Sequence, residues 1–407
     1  MSNIRVDCSK LNGAIKVPVS KSILHRYLIC SFLNDDYDAL RNIEDIAGTL
    51  SDDVRATRDC LMQIADTEGE NDVITLRCGE SGTTLRFLTA IVAALGRKAD
   101  FIAEGTLVGR PMKEFTDELN RHGAQITSSV SDDGKQAVYS IRGKLTDGDY
   151  ILPGNISSQY VSAMILASDL IDGDAWIAIE NNLQSASYVD MTEEVIRAFD
   201  MDRGDKVIEG DWSSGAMWVV ANDLLGGKLK VNGLQANSIQ GDSRIIDILN
   251  DYAVREAMME LESEEYPGEK VYAGEVSIDV SDCPDLVPAI ALRAATSPLI
   301  TELTNAKRLK LKESNRLQGT KDILLALGAN IRIGEDGESL RIKGTAGKKL
   351  PGTNAIIDTY GDHRMVILAA LASTITEQAV NVSGIEAVSK SYPDFFEEIR
   401  RMGGVVE

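Results

Sequence analysis

The sequence predicts an α+β protein of two domains built from duplicated modules. Three observations carry this. The chain has 407 residues, more than one ordinary core of about 150–200 residues holds. Helix and strand patterns alternate along its whole length. One supersecondary unit recurs, as expected of duplicated modules.

The elements follow in chain order. In "VPVSKSILHR", Val17–Arg26, Ser20 or Ser22 can cap a helix whose free N–H groups attract anions. Lys21 adds a point charge there, and Ser22 and Arg26 share a face at i, i+4 spacing. "CGESGTTLRFL", Cys78–Leu88, joins a strand to a helix, and Gly82 lets backbone N–H groups approach a ligand. No Gly-Lys-Ser/Thr follows, so this is not a Walker A loop. "LNRHGAQITSSVSDDGKQAVYSIRGKL" then shares one grammar with "LLALGANIRIGEDGESLRIKGTAGKKL". In each a helix stops at Gly-Ala, a strand follows, an Asp-Gly turn reverses the chain, and a second strand closes on Gly143 or Gly344.

"GNISSQYVSAM" puts Ser157, Ser158 and Gln159 at the start of another helix, with donors and acceptors suited to a polyhydroxylated ring or a phosphate. "PDLVPAIALRAAT" reads as helix, whereas "LKVNG" and "LRIKG" read as short strands ending at glycine. In "KRLKLKESNRL", Lys312 and Arg316 stand at i, i+4 with Glu313 beside them, so a carboxylate held ionised by cations can shuttle a proton. "YGDHRMVILAA" places Asp362, His363 and Arg364 just before a hydrophobic helix, and "VSKSYPDFF" places Lys390 before Pro393. The final "FFEEIRRMGGVVE" looks like the same helix-stop-strand unit cut short.

Taken singly, each segment reads as a capped helix start or a solvated charged surface. Together they form a set, each delivering Lys, Arg, Ser or Thr at a helix start or turn. The formal net charge is -21 and the pI about 4.7, which argues against nucleic acid as a partner. A chain this acidic that gathers cations locally is expected to bind a small substrate with several negative charges.

Five cysteines, Cys8, Cys30, Cys60, Cys78 and Cys283, are scattered with no C-x-x-C, and with three histidines no zinc spacing arises. Reduced thiols in a cytoplasmic protein are expected. The polar start "MSNIRVDCSK" lacks an apolar core, so no secretory signal is expected. No apolar run reaches the roughly 18 residues of a membrane span.

The ordered motifs SKSxxxR, SGTTxR, GRPM, SSQ, QGDxR, DxPDLVP, LKxKESxR, GDHRM and KSYPDFF cover almost the whole chain. In these the sequence resembles the 5-enolpyruvylshikimate-3-phosphate synthase family of enolpyruvyl transferases. The resemblance implies two globular domains, each of three βαβαββ units (an inside-out α/β barrel), with substrates in the cleft between them. It implies one domain over residues 20–225 and another combining 1–19 with 226–407, joined by a two-crossover hinge.

The implied reaction moves the carboxyvinyl group of phosphoenolpyruvate to the 5-hydroxyl of shikimate 3-phosphate through a tetrahedral intermediate and releases phosphate. No cofactor or metal is implied, and the expected state is a cytoplasmic monomer without nucleic-acid or membrane partners. Carried over by motif, Lys21, Gly82, Arg110, Gln159, Arg316, Arg364 and Lys390 are expected to bind phosphoenolpyruvate. Lys21, Ser22, Arg26, Ser157, Ser158, Gln159, Ser185, Tyr188, Asp285 and Lys312 are expected to bind shikimate 3-phosphate. Asp285, Glu313 and Lys21 are the expected catalytic groups. Gly82, where a bulkier residue accompanies glyphosate resistance, implies a glyphosate-sensitive target.

Three positions depart from the family pattern. Glu80 stands where asparagine often precedes the SGT turn, Ala186 interrupts a usually basic run, and Arg308 replaces an asparagine of some relatives. The alternatives are a UDP-N-acetylglucosamine enolpyruvyl transferase and a catalytically silent ligand-binding relative. The loop "EGTLVGRPMKE" lacks the reactive cysteine usual in the former, and retention of both Asp285 and Glu313 argues against the latter.

Overall fold

The computed structural model describes residues 3–67, 69, 72–201, 208–265 and 274–407, with 262–265 as backbone. The chain divides into two compact units, one formed by Val19–Glu209 and the other by Met1–Pro18 with Gly210–Glu407.

Four-stranded sheets of one topology recur. In the Val19–Glu209 unit, strands Val73–Gly79, Lys98–Glu104, Ala124–Val130 and Gln136–Gly143 are interleaved with helices Gly82–Ala94 and Lys113–Arg121. The order in space is first, second, fourth, third, with the first pair parallel and the others antiparallel. The parallel pair needs a helical crossover, whereas the antiparallel pair needs only a hairpin. Strands Glu275–Asp279, Ile300–Thr304, Asn330–Ile333 and Leu340–Lys343 repeat that order in the other unit. The two repeats read from the sequence are therefore the second halves of two βαβαββ modules. Their helix stops, Gly123 at φ +92 and Gly328 at φ +99, adopt the left-handed region that glycine tolerates.

The third such sheet resolves the truncated repeat at the C-terminus. Ile356–Ile357, Val380–Ser383 and Val405–Val406 give only three strands, and Asn3–Asp7 from the other end of the chain supplies the fourth. It pairs antiparallel with both Val380–Ser383 and Val405–Val406. Elsewhere the described residues form two-stranded parallel pairs, Gly148–Pro153 with Ala175–Glu180 and Gly13–Lys16 with Leu229–Asn232. Three full modules per unit are thus not all built as four-stranded sheets among the described residues.

The boundary between units falls at Glu209/Gly210, earlier than the expected 225. Helix Trp212–Leu224 accounts for the difference. It is the crossover between Gly13–Lys16 and Leu229–Asn232, and its Trp212, Trp218 and Val220 lie in the core of the discontinuous unit. The Val19–Glu209 unit is therefore inserted into a βαβ crossover.

In each unit, helices with apolar residues on every side run through the core, because a helix hydrophobic all round must be buried. Lys21–Leu33, Gly82–Ala94 and Ser158–Ser168 do so in one unit, and Trp212–Leu224, Val287–Ala294 and His363–Ala372 in the other. Their first turns are polar. Ser20, Ser81 and Ser157 cap three of them, and Asp211 and Asp362 cap two more. This is why the motifs of the sequence lie at helix starts: the helix bodies are fully used as core.

Candidate active site

Within the Val19–Glu209 unit, Lys21 opens its helix and its Nζ meets Asp53 Oδ2 at 2.8 Å. Gly82, the first residue of its helix, lies against two guanidinium groups. A Cβ built there would stand 2.8 Å from Arg110 Nη1 and 3.0 Å from Arg86 Nη1. Arg86 in turn donates to Gln159 Oε1 at 2.5 Å, and Gln159 Nε2 donates to Thr83 Oγ1 at 2.8 Å. The unit thus brings Gly82, Arg110 and Gln159 together, with Arg86 among them. Arg86 was legible only as the last letter of SGTTxR; its burial across the Tyr160 ring marks its role as a fixed cation.

Ser157 caps the Ser158–Ser168 helix, accepting from the Gln159 N–H at 3.3 Å, and Ser158 is buried beside it. Ser185 is buried with φ at +57, a conformation a non-glycine residue adopts at a cost. Arg26 has a different setting from its neighbours. Its guanidinium is 2% exposed and donates to Thr192 Oγ1 at 2.7 Å, Ser22 O at 2.7 Å and Tyr188 O at 2.8 Å. Those bonds tie the Lys21 helix to helix Ser187–Asp200, so Arg26, the Ser22 carbonyl and the Tyr188 carbonyl form a packed joint. Glu80 turns its Oε2 onto Thr106, accepting from its N–H at 2.9 Å and its hydroxyl at 2.7 Å. That fixes the turn Gly105–Leu107 leading to Arg110.

Within the discontinuous unit, Arg316 is the hub. Its side chain is 2% exposed; Nη1 meets Asp285 Oδ1 at 2.7 Å, Nη2 meets Glu313 Oε2 at 2.5 Å, and Nε meets Asp362 Oδ2 at 2.7 Å. Asp285 also faces Lys312 Nζ at 3.3 Å and Arg364 Nε at 3.5 Å. Burial alone would raise Asp285, but Arg364, Lys312 and Arg316 outweigh it and hold the carboxyl well below the usual range. Burial pulls Lys312 down to about 8 despite Asp285, with Arg308 and Arg316 adding repulsion. Lys390 Nζ donates to Gly361 O at 3.1 Å, at the turn before Asp362. All five expected residues of this unit that carry charge in KES, DHRM and KSY are therefore gathered, together with Asp285.

Two further buried carboxylates, Asp362 and Asp242, join this cluster. Asp362 binds Arg316, caps the His363 helix through the Arg364 N–H at 2.9 Å, and accepts from Ser314 Oγ at 3.0 Å. Asp242, from the QGD motif, is buried and accepts from Ser213 Oγ. Burial, with Asp285 adding repulsion, pushes Asp242 up to about 6. The Ser213 carbonyl accepts from Arg364 Nη1 at 3.1 Å, so Asp242, Ser213, Arg364 and Asp285 form one chain.

Among the described residues no group of three or more His, Cys, Asp or Glu is placed to hold a metal ion, and no helix is long and apolar enough to cross a membrane. All five cysteines are free thiols and buried.

The chain matches the family model described as EPSP synthase (3-phosphoshikimate 1-carboxyvinyltransferase) over residues 7–202 and 200–399. It is 35% identical over 444 aligned positions to a Clostridium kluyveri protein named 3-phosphoshikimate 1-carboxyvinyltransferase, covering 100% of this chain and 99% of the relative. A Clostridium novyi protein of the same name is 32% identical, again covering 100% of this chain and 99% of the relative. Among solved structures, an EPSP synthase from Acinetobacter baumannii superposes with a TM-score of 0.69 at 21% identity, covering 100% of both chains. An enolpyruvyl transferase from Streptomyces tendae superposes with a TM-score of 0.62 at 15% identity, covering 100% of this chain and 98% of the other. These two structures share the fold; the family model and the clostridial relatives go further, and on them the chain belongs to the EPSP synthase family.

Proposed function

We propose that the chain transfers the carboxyvinyl group of phosphoenolpyruvate to the 5-hydroxyl of shikimate 3-phosphate and releases phosphate. The observation that carries this reading is Asp285 held among Lys312, Arg316 and Arg364 with Glu313 on the same guanidinium. Two carboxylates side by side on one guanidinium give a reaction that removes one proton from oxygen and moves another at carbon a group for each proton.

Oxygen 5 of the acceptor attacks carbon 2 of phosphoenolpyruvate and loses its proton to Asp285, while carbon 3 gains a proton from Glu313, which has first taken that proton up from solvent. The tetrahedral intermediate then expels phosphate as carbon 3 gives a proton back. Asp285, held well below the usual carboxylate range, is a weak base in this arrangement. Phosphate and carboxylate groups that draw Lys312, Arg316 and Arg364 toward themselves relax that hold and raise its proton affinity. Substrate charge thus prepares the base.

In the Val19–Glu209 unit, Lys21, Gly82, Arg110 and Gln159 are the phosphoenolpyruvate ligands of this reading. Ser22, Ser157, Ser158, Ser185 and Tyr188 are its shikimate 3-phosphate ligands, with Arg26 acting through the joint it forms. Serine-capped helix starts with a guanidinium pair suit phosphate and carboxylate groups. Arg316, Arg364 and Lys390 supply the corresponding cations in the discontinuous unit, and Lys312 those for shikimate 3-phosphate. A cytoplasmic monomer completes the reading, checked by light scattering and fractionation.

Phosphate release is the decisive measurement. Turnover that requires both shikimate 3-phosphate and phosphoenolpyruvate is expected. Release with UDP-N-acetylglucosamine in place of shikimate 3-phosphate, or no release at all, overturns the assignment.

A further inference from the structure

His25 lies one turn beyond Lys21 on the same helix and is 1% exposed. Its Nδ1 meets Thr57 Oγ1 at 2.7 Å, and Thr57 Oγ1 meets Thr84 Oγ1 at 2.7 Å. Thr84 Oγ1 then donates to Ser81 Oγ at 2.7 Å, the residue that caps the Gly82 helix. Each hydroxyl carries one hydrogen, so the polarity of the whole chain follows. Thr84 gives its hydrogen to Ser81, Thr57 must then give its own to Thr84, and His25 must donate from Nδ1. That leaves Nε2 bare, in keeping with its finding no hydrogen-bond partner among the described residues. A protonated His25 would bury an N–H with no acceptor, and burial together with Lys21 and Arg26 holds the ring neutral, well below its ordinary pKa.

A second rung runs parallel to the first. Asp53 lies one turn before Thr57 on helix Asp52–Asp66 and holds Lys21 at 2.8 Å. The Asp53 carbonyl oxygen also lies 3.5 Å from Thr57 Oγ1 and 3.4 Å from Thr84 Oγ1, a more distant, competing acceptor for the hydrogens those two hydroxyls give along the chain. Three helices are thereby tied at one level, with Lys21 at one end of the ladder and the Ser81–Gly82 turn at the other.

We propose that His25, Thr57 and Thr84 are positioning residues, a one-way hydrogen-bond relay that fixes the Gly82 turn relative to Lys21 so that both meet the same phosphoenolpyruvate. The inference rests on the substrate assignment above. Hydrogen bonds in a buried chain reinforce one another, so deleting one link loosens the far end.

The test compares Thr57→Val, which keeps shape but deletes the hydroxyl, with Thr57→Ser, which keeps the hydroxyl. Thr57→Val is expected to lower kcat/KM for phosphoenolpyruvate by about tenfold, the scale of one lost buried hydrogen bond. The dissociation constant of shikimate 3-phosphate should stay within about twofold, and Thr57→Ser should stay near wild type on both counts. Hydrogen exchange at the Thr83 and Thr84 amides should accelerate in Thr57→Val and not in Thr57→Ser. Unchanged kinetics in Thr57→Val, equal losses for both substrates, or failure of Thr57→Ser to restore activity overturns the relay. If the wild-type protein releases no phosphate, the substrate assignment fails, and the exchange comparison alone decides the relay. Should Thr57→Val not fold, His25→Leu against His25→Asn makes the same comparison, because the Asn amide can replace the Nδ1 donor.

Discussion

Arg316 Nε and Asp362 Oδ2 meet at 2.7 Å, with the two side chains 2% and 0% exposed. Asp362 also holds Ser314 and the Arg364 N–H, so one buried carboxylate aligns the KES segment with the DHR helix start. Removing the Asp362 charge leaves Arg316 paired with Asp285 and Glu313 but strips the buried carboxylate from its Nε. Asp362→Asn is therefore expected to destabilise the protein by about 3 kcal/mol, read by urea unfolding, and to reduce turnover. Stability equal to wild type would show that Arg316 finds compensation elsewhere.

Lys312 sets an alkaline limit. Burial lowers it to about 8, so it loses its charge as pH rises through that value. kcat/KM, which reports the free protein, is expected to fall above about pH 8. Lys312→Arg keeps the charge at every accessible pH and should abolish this limb even if it lowers the plateau. A limb unmoved in Lys312→Arg assigns it to another group.

Gly82→Ala tests the guanidinium pair. The added methyl would meet Arg110 Nη1 at 2.8 Å and Arg86 Nη1 at 3.0 Å, the ends of flexible side chains rather than backbone. The fold should tolerate it, with a melting temperature near wild type. The two arginines must shift, and KM for phosphoenolpyruvate is expected to rise by about tenfold or more, because small misplacements of binding groups are costly. An unchanged KM would remove Gly82 from the phosphoenolpyruvate site.

Glu313→Gln keeps shape and removes the proton-carrying group. Turnover should fall by about 10²–10⁴-fold with a native circular dichroism spectrum. Lys21→Met should likewise reduce turnover and leave the fold intact. Near-normal rates in either variant would overturn that residue's role.

The helix starts were legible because serine before an apolar run can be read as a cap, and Ser20, Ser81 and Ser157 are caps. The two hairpin repeats were legible from Gly-Ala and Asp-Gly, since those steps require glycine conformations. Arg26 and Asp362 were not legible as they stand. Asp362 caps a helix and Arg26 lies in the second turn of one, and sequence spacing cannot distinguish a charge that faces a ligand from one that is neutralised inside the protein. Asp53 and Thr57 belong to no motif and acquire a role only through the neighbours that folding brings them.

The sequence by itself determined the module grammar, the polar first turns of apolar helices and the family, because these rest on local periodicity, capping and motif order. Only the tertiary structure decided that Asn3–Asp7 completes the last sheet, that the chain crosses between units at Glu209/Gly210, and which charges are paired inside. The physical reason is common to all three: strand pairing, core membership and the burial of a charge depend on partners distant in sequence, and nothing local encodes the distance between them.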